Sequence, residues 1–273
     1  MIEGRFGVST RLFLAERLDQ AHIQQIALHG FTAIEAVAAR SHFDYRDPGA
    51  VVRLGEWLSI SGVALHSVHA PVEASVTSSD EAVRLRAVDE VMATLGVARQ
   101  VPYRYLVLHL GTPAAAGRSQ DNHSGAAKRS LEQVVETAAG VGVEVAVEVI
   151  ANRLSDPAAL VRLIEEDLDE LNLGICLDYG HAHMLGDLGE SIETVSGHLM
   201  TTHVHDNRGR ADDHLPPYAG SVDWDAAMME TQKIGYEGRL MLEVAAHGSA
   251  VDTLARCAAA CERLQQAFAP LPF

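Results

Sequence analysis

The chain has few of the features that mark secreted or membrane proteins. It contains 3 cysteines in 273 residues, too few for a disulfide framework, so we expect a reducing, cytoplasmic compartment. No apolar run approaches the length of a membrane span, and the first residues lack the apolar segment of a signal peptide. Linkers and low-complexity segments are also missing, which favours one domain over residues 1–273.

Positive charge is scarce. The chain has 21 Lys and Arg residues against 37 Asp and Glu, a formal net charge of -16 with histidine neutral. A surface of this sign repels nucleic acid and anionic membranes, so we expect neither as the main partner. Bound divalent cations would cancel several of the carboxylates locally.

Short apolar runs, each followed by a helical pattern, are what the sequence has in abundance. The eight strand candidates are 6–9, 33–37, 64–70, 105–111, 144–150, 173–180, 200–206 and 239–244. Nearly continuous apolar strands are typical of a parallel sheet buried on both faces. Helix starts lie between them, such as Asp156 as N-cap with Pro157 in the first turn. The sequence therefore predicts an α/β fold, a single (β/α)8 TIM barrel. A doubly wound open sheet is the alternative, but no G-x-G-x-x-G follows the first strand.

Histidines and acids gather at the carboxyl ends of strands 3 to 8. They are His66, His69, His109, Glu148, Asp178, His181, His203, His205, Asp206, Asp212, Asp213, His214 and Glu243. In a (β/α)8 barrel these ends share the face that carries the active site. Any one histidine there is more often a hydrogen-bonded structural residue than a ligand. Glu148 in "VAVEVI" and Glu243 in "LMLEV" are harder to explain, because a carboxylate in so apolar a run must be paired or bound to metal. Imidazoles with carboxylates suit Zn²⁺ or Mn²⁺ better than Ca²⁺.

Several motifs carry a resemblance to a known superfamily: "HSVHAP", "VLHLG", "VEV", "CLDYGHAH", "HVHDN", "DDHLPPYAGSVDW" and "LEV". With these the chain resembles the xylose isomerase-like barrels. That superfamily joins sugar and sugar phosphate isomerases and epimerases with DNA-repair enzymes of the endonuclease IV type (AP endonuclease family 2). Resemblance to its one-metal members implies the ligands Glu148, Asp178, His203 and Glu243. Resemblance to its trinuclear zinc members implies nine ligands, namely His69, His109, Glu148, Asp178, His181, His203, Asp212, His214 and Glu243.

The resemblance implies a divalent-metal-dependent enzyme with one to three Zn²⁺ or Mn²⁺ ions per chain. We expect an isomerase or epimerase that acts on a sugar, keto-sugar or sugar phosphate through an enediolate-type intermediate. Glu148, Glu243 and His181 would be catalytic. The expected substrate contacts are His66, His205, Asp206 and Arg208. A homodimer is expected as well, and the long irregular segment 111–125 could cover the site.

Three other functions stay open at this stage. A multinuclear zinc phosphoesterase would use all nine ligands, but the loop "APVEASVTSSDEA" after His69 is small and acidic, unlike a DNA-gripping loop. A metal-dependent dehydratase or lyase would share the enolate chemistry. A non-catalytic binding barrel is the third alternative. In the segment after strand 7, Asp223 is expected to cap a helix and Trp224 to pack in the core.

Overall fold

The strands close into a barrel. In the computed structural model, which describes residues 4–112, 122–169 and 171–268, eight parallel strands pair in chain order and the last pairs with the first. They are β1 (Phe6–Ser9), β2 (Ala33–Val37), β3 (Ala64–His69), β4 (Tyr105–Leu108), β5 (Glu144–Glu148), β6 (Leu173–Asp178), β7 (Leu199–Val204) and β8 (Leu240–Leu242). The predicted (β/α)8 barrel is confirmed. Strands β3 to β8 end one to three residues before the predicted limits.

Helices surround the barrel. They are α1 (Gln20–Leu28), α2 (Pro48–Ser61), α3 (Glu81–Leu95), α4 (Ser124–Ala139), α5 (Pro157–Arg162), α6 (Tyr179–Leu185), α7 (Leu188–Val195), α8 (Trp224–Lys233) and α9 (Ala250–Ala267). The predicted caps are present, since the side chains of Asp156 and Asp223 accept backbone N–H groups at the starts of α5 and α8. Asp80 caps α3 in the same way. Trp224 is buried as expected, with 1% of its surface exposed.

Strand alternation decides which side chains reach the barrel interior. In β5, Val145 and Val147 pack in the large apolar core between strands and helices. Ala146 belongs to a small separate cluster with Val107 and Cys176. Since successive side chains of a strand point to opposite faces, Glu148 shares the face of Ala146. This places its carboxylate inside the barrel at the carboxyl end of β5.

Some expectations fall on parts of the chain that are not described. Most of the segment 111–125, which was expected to cover the site, is residues 113–121 and lies outside the described ranges. That residues 1–273 form one domain therefore stays a prediction. Within the ranges that are described, no helix is long and apolar enough to cross a membrane.

Candidate active site and metal centre

Four buried side chains from four strand ends meet at one point. Glu148, Asp178, His203 and Glu243 each offer a ligand atom, and these atoms lie within 4.8 Å of one another. Nδ1 of His203 is at the middle: it lies 3.3 Å from Oε2 of Glu148, 3.5 Å from Oε2 of Glu243 and 3.9 Å from Oδ2 of Asp178. The geometry required for a shared metal ion is therefore present, and metal binding by these residues stays a prediction.

Glu148 also joins a second group. Its Oε2 lies 3.2 Å from Nε2 of His69 and 3.0 Å from Nε2 of His109, and the three residues offer ligand atoms within 4.8 Å of one another. Its other oxygen, Oε1, lies 3.3 Å from Nδ1 of His181. One carboxylate thus bridges imidazoles from β3, from the residues after β4 and from α6.

A third group lies under the loop that follows β7. It contains His181, His205, Asp212 and His214, whose ligand atoms lie within 4.8 Å of one another. Oδ2 of Asp212 is 3.2 Å from Nε2 of His181 and 3.0 Å from Nε2 of His214. The rings of His205 and His214 stack with centroids 4.0 Å apart. The loop thus brings its two metal-capable residues, Asp212 and His214, back over the barrel.

The loop is held in place by backbone contacts. Asp206 and Leu215 form an isolated antiparallel bridge, and Nδ1 of His214 donates to the carbonyl of Glu243 at 2.7 Å. His214 adopts a φ of 45°, a left-handed conformation that is uncommon outside glycine. Such strain persists only where the surrounding contacts enforce it, and it is found most often at functional sites.

Carboxylates and imidazoles shift each other's ionisation. Burial opposes the charge of Glu148, but His109 and His203 outweigh it and hold the pKa of Glu148 well below its usual value. Burial likewise opposes protonation of His69, yet the hydrogen bond and charge of Glu148 raise its pKa to about 9. For His181, Asp178 and Asp212 overcome the same burial penalty and raise the pKa well above normal. Without a metal, protons on the imidazoles therefore neutralise the buried acids.

Unsatisfied atoms indicate that these groups fit a metal ion. Oε1 of Glu148, Oδ2 of Asp178, Nδ1 of His203 and Nε2 of His205 are buried and have no hydrogen-bond partner. Leaving a buried polar atom unpaired costs about 1–3 kcal/mol, and all four atoms belong to residues of the groups above. Their donor set of imidazole nitrogens and carboxylate oxygens suits Zn²⁺ or Mn²⁺.

Two residues of the site were missed in the sequence. Glu35 of β2 is fully buried; its Oε2 accepts from Nε2 of His203 at 3.0 Å and from Oγ of Ser67 at 2.9 Å. Its signal was available, because a carboxylate within "AIEAV" satisfies the argument applied to Glu148. Arg11, in the turn after β1, lies 3.7 Å from Glu243, and no motif in the sequence pointed to it.

His66 lies apart from the other site residues, and its contact with substrate stays a prediction. His66 lies near the amino end of β3, where its Nε2 is 3.3 Å from Oγ1 of Thr201 and its ring packs edge-on against Tyr105 with centroids 5.3 Å apart. Tyr105 is the first residue of β4, and Thr201 lies in the first half of β7. His66 therefore occupies the opposite end of the barrel from His69.

Asp206 makes hydrogen bonds within its own loop, and its expected contact with substrate stays a prediction. Its fully buried carboxylate accepts hydrogen bonds from the backbone N–H groups of Asn207, Gly220 and Val222 and from Nε1 of Trp224, at 2.8–3.1 Å. These donors occupy both oxygens, so Asp206 holds the loop in place. His205 is fully buried too and belongs to the third ligand group, and its contact with substrate stays a prediction. Arg208 is 64% exposed and lies 3.8 Å from Asp213, and its contact with substrate stays a prediction.

Comparisons with known proteins agree with this architecture. A crystal structure of a D-tagatose 3-epimerase-like protein superposes with a TM-score of 0.79 at 26% identity, covering 97% of this chain and 100% of the other. The 3-keto-D-glucoside 4-epimerase of E. coli has a TM-score of 0.79 at 16% identity and the same coverage of 97% and 100%. D-psicose 3-epimerase of Clostridium cellulolyticum H10 has a TM-score of 0.78 at 18% identity, with 97% and 99% covered. At these last two identities the likeness shows the fold alone.

Sequence comparison leads to the same group. An uncharacterized protein of Methanocaldococcus jannaschii, MJ1311, is 28% identical over 256 residues, which cover 89% of this chain and 84% of that protein. The profile of the xylose isomerase-like TIM barrel family matches residues 23–266, a span that contains every ligand candidate. The chain belongs to the xylose isomerase-like TIM barrel family.

Proposed function

We propose that the protein is a divalent-metal-dependent isomerase or epimerase of a sugar, keto-sugar or sugar phosphate. The observation that carries the proposal is the placement of Glu148 and Glu243 on either side of His203, whose Nδ1 lies 3.3 Å and 3.5 Å from their carboxylates. The epimerases among the structural neighbours act on ketoses such as D-tagatose and D-psicose according to their names, which supports a small, sugar-like substrate. A homodimer stays a prediction.

The chemistry follows from two ionised carboxylates that face one position. A bound Zn²⁺ or Mn²⁺ would polarise a carbonyl and its neighbouring hydroxyl and so lower the cost of an enediolate. The pKa of Glu243 is lowered, because His203 and Arg11 together outweigh the effect of burial. Glu148 is ionised for the corresponding reason. One carboxylate can then remove a proton from the substrate carbon and the other can return one from the opposite face.

His181 would position the substrate from a third side. Its Nδ1 lies 3.0 Å from the carbonyl of Val149 and its Nε2 lies 3.2 Å from Asp212. Two partners fix the plane of the ring, and 4% of the residue's surface is exposed. A ring held in this way can direct a substrate hydroxyl toward the carboxylates, or can give a nitrogen to a metal ion.

Solvent exchange tests the proposal. Protein reconstituted with Mn²⁺ or Zn²⁺ is incubated in D₂O with D-tagatose, D-fructose and D-psicose, and deuterium at the carbon next to the carbonyl is measured by NMR. We expect exchange with at least one ketose. Glu148→Gln and Glu243→Gln should lower its rate by about 10²-fold or more. Glu144→Gln, at the other end of β5 and paired with Arg104 at 3.0 Å, is the control. Absence of exchange in metal-loaded protein over a broad ketose panel would contradict the proposal.

One observation favours a second function. The group of His181, His205, Asp212 and His214 exceeds what a one-metal isomerase needs and suits a multinuclear zinc phosphoesterase. Cleavage of an abasic-site duplex or of bis(p-nitrophenyl) phosphate by zinc-loaded protein would support it. A metal-dependent lyase would be recognised in the exchange experiment by loss of water from the sugar.

A further inference from the structure

A cavity of 590 Å³ opens beside the metal centre. Its walls come from the loops after β2 and β3, residues 37–41 and 71–75, together with α3 and the turn after β1. These segments follow the carboxyl ends of the first three strands, so the cavity is on the catalytic face. Its volume is in the range that holds a small-molecule substrate. The ligand residues themselves do not line it, and the side chain of Arg11, which does, lies 3.7 Å from Glu243.

Arg11 lies between the cavity and the centre. Its Nη1 is 3.7 Å from Oε1 of Glu243, too far for a hydrogen bond. Its Nε is buried and has no hydrogen-bond partner, whereas 26% of the side chain is exposed. The guanidinium group therefore has free donors next to the cavity. Its planar fork matches the two oxygens of a carboxylate or phosphate group.

The cavity carries more positive than negative charge although the chain as a whole is acidic. Three arginines line it, namely Arg11, Arg40 and Arg86, against Glu73 and Glu90. Glu90 is already engaged by Arg46 at 3.1 Å and by the hydroxyl of Tyr45, and Arg40 lies 3.6 Å from Asp44, which leaves Arg11 and Arg86 against Glu73. Much of the remaining wall is apolar, with Val37, Pro71 and Val72 among its residues. In a chain with a net charge of -16, this composition favours an anionic group carried on a carbon skeleton.

We propose that Arg11 and this cavity bind an anionic substituent of the sugar substrate, a carboxylate or a phosphate located a few bonds from the reacting carbon. The inference rests on the proposed function, because it places the reacting carbon at Glu243. It narrows the substrate class from sugars in general to sugar acids and sugar phosphates. A carboxylate and a phosphate would both pair with the guanidinium group of Arg11, and the binding test distinguishes between them.

Binding measurements on matched ligands test this. D-Fructose, D-fructuronate and D-fructose 6-phosphate share a carbon skeleton and differ at C6. Isothermal titration of Mn²⁺-loaded protein should show that at least one of the two anions binds about tenfold or more tightly than D-fructose, the gain of a charge-assisted hydrogen-bond pair. Whichever anion is preferred identifies the source. Equal affinity for all three would overturn the inference.

Variants of Arg11 test whether this side chain causes the preference for anionic ligands. Arg11→Gln should remove the preference for the anion, and Arg11→Lys should restore part of it, because lysine keeps the charge but not the fork. Arg53→Gln is the matched control, since Arg53 pairs with Asp47 at 3.4 Å and does not line the cavity. Manganese content is measured for each protein, so that a loss of metal is not mistaken for a loss of anion binding. A preference that survives in Arg11→Gln overturns the inference.

Binding of inorganic phosphate, measured beside deuterium exchange, shows whether the anion site or the isomerase proposal fails. If phosphate binding depends on Arg11 but no sugar exchanges deuterium, the anion site stands and the isomerase proposal fails. If D-fructose exchanges deuterium and Arg11→Gln binds every ligand like the unaltered protein, the isomerase proposal stands and the anion site fails.

Discussion

Oε2 of Glu35 lies 3.0 Å from Nε2 of His203, and this contact sets which nitrogen of His203 faces the centre. Burial opposes the charge of Glu35, but His203 outweighs it and lowers the pKa of Glu35 to about 2. An ionised carboxylate can only accept a hydrogen bond, so Nε2 carries the proton. Nδ1 is then the nitrogen that points at Glu148, Asp178 and Glu243. Carboxylates that orient a ligand histidine in this way also raise its basicity.

Glu35→Gln is expected to weaken metal binding without dismantling the barrel. Glutamine fills the same volume and can still accept from Nε2 of His203, but it removes the negative charge behind the ligand. Loss of such a partner costs about 10- to 100-fold in metal affinity. Competition with a chromogenic chelator measures the affinity, and thermal denaturation of the metal-free protein reports any change in the fold. The exposed Glu56 of α2 provides the control Glu56→Gln. An affinity within twofold of the unaltered protein would contradict this role for Glu35.

Metal affinity should rise with pH. The pKa of His69 is about 9 in the metal-free protein, because Glu148 outweighs the effect of burial, and Nε2 of His69 must lose its proton to bind metal. Below pH 9, binding of the metal ion releases this proton from His69. Each proton released in this way makes the metal affinity increase about tenfold per pH unit. Titration calorimetry of Mn²⁺ in buffers of different ionisation enthalpy counts the protons. We expect at least one, and an enthalpy independent of the buffer would contradict it.

The stability of the metal-free protein should change in the opposite direction. A histidine whose folded pKa exceeds its usual 6.5 contributes stability that is complete below 6.5 and is lost as pH rises through the folded value. For His69 this window runs from 6.5 to about 9. With EDTA the melting temperature should fall between pH 6.5 and 8.5, and with Mn²⁺ the fall should be smaller or reversed. Parallel curves with and without metal would contradict the assignment of His69 as a ligand.

The third ligand group predicts a second metal ion. Asp212 joins His181 and His214 through contacts of 3.2 and 3.0 Å, and it is the carboxylate of this group, so removing its charge leaves the group with imidazole ligands alone. We expect metal-saturated protein to hold at least two ions per chain and Asp212→Asn to hold one fewer, as measured by elemental analysis. Asp213→Asn is the control, because the neighbouring carboxylate faces the exposed Arg208 at 3.8 Å. A single ion per chain in the unaltered protein would contradict this prediction.

The fold could be predicted because its signal is local. Each strand is an apolar run long enough to be recognised by itself, and helix caps such as Asp156 and Asp223 act within a few residues. The position of a residue along its strand was harder to predict. His66 and His69 both lie in β3 and have the same side chain. Their separation to opposite ends of the barrel depends on strand pairing, in which Ser67, between them, aligns with the first residue of β4.

Residues of the candidate site were predicted where they lie in recognisable sequence motifs. Glu148 and Glu243 stood out as carboxylates in apolar runs, and Glu35 gave the same signal without a motif to draw attention to it. Asp206 could not be interpreted, because its partners at Gly220 and Trp224 lie 14 and 18 residues away and meet it only when the loop is folded. Arg11 is separated from Glu243 by nearly the whole chain, and closure of β1 against β8 brings them together.

Asp206 should therefore matter for stability more than for substrate binding. Asp206→Ala would leave the indole N–H of Trp224 and the backbone N–H groups of Gly220 and Val222 buried without an acceptor. Because several charge-assisted hydrogen bonds are lost at once, we expect the free energy of unfolding to fall by about 3–5 kcal/mol. Urea denaturation of the metal-free protein measures it, and Asp225→Ala at an exposed position should stay within about 0.5 kcal/mol. A loss below 1 kcal/mol would mean that other contacts hold the loop that carries Asp212 over the barrel.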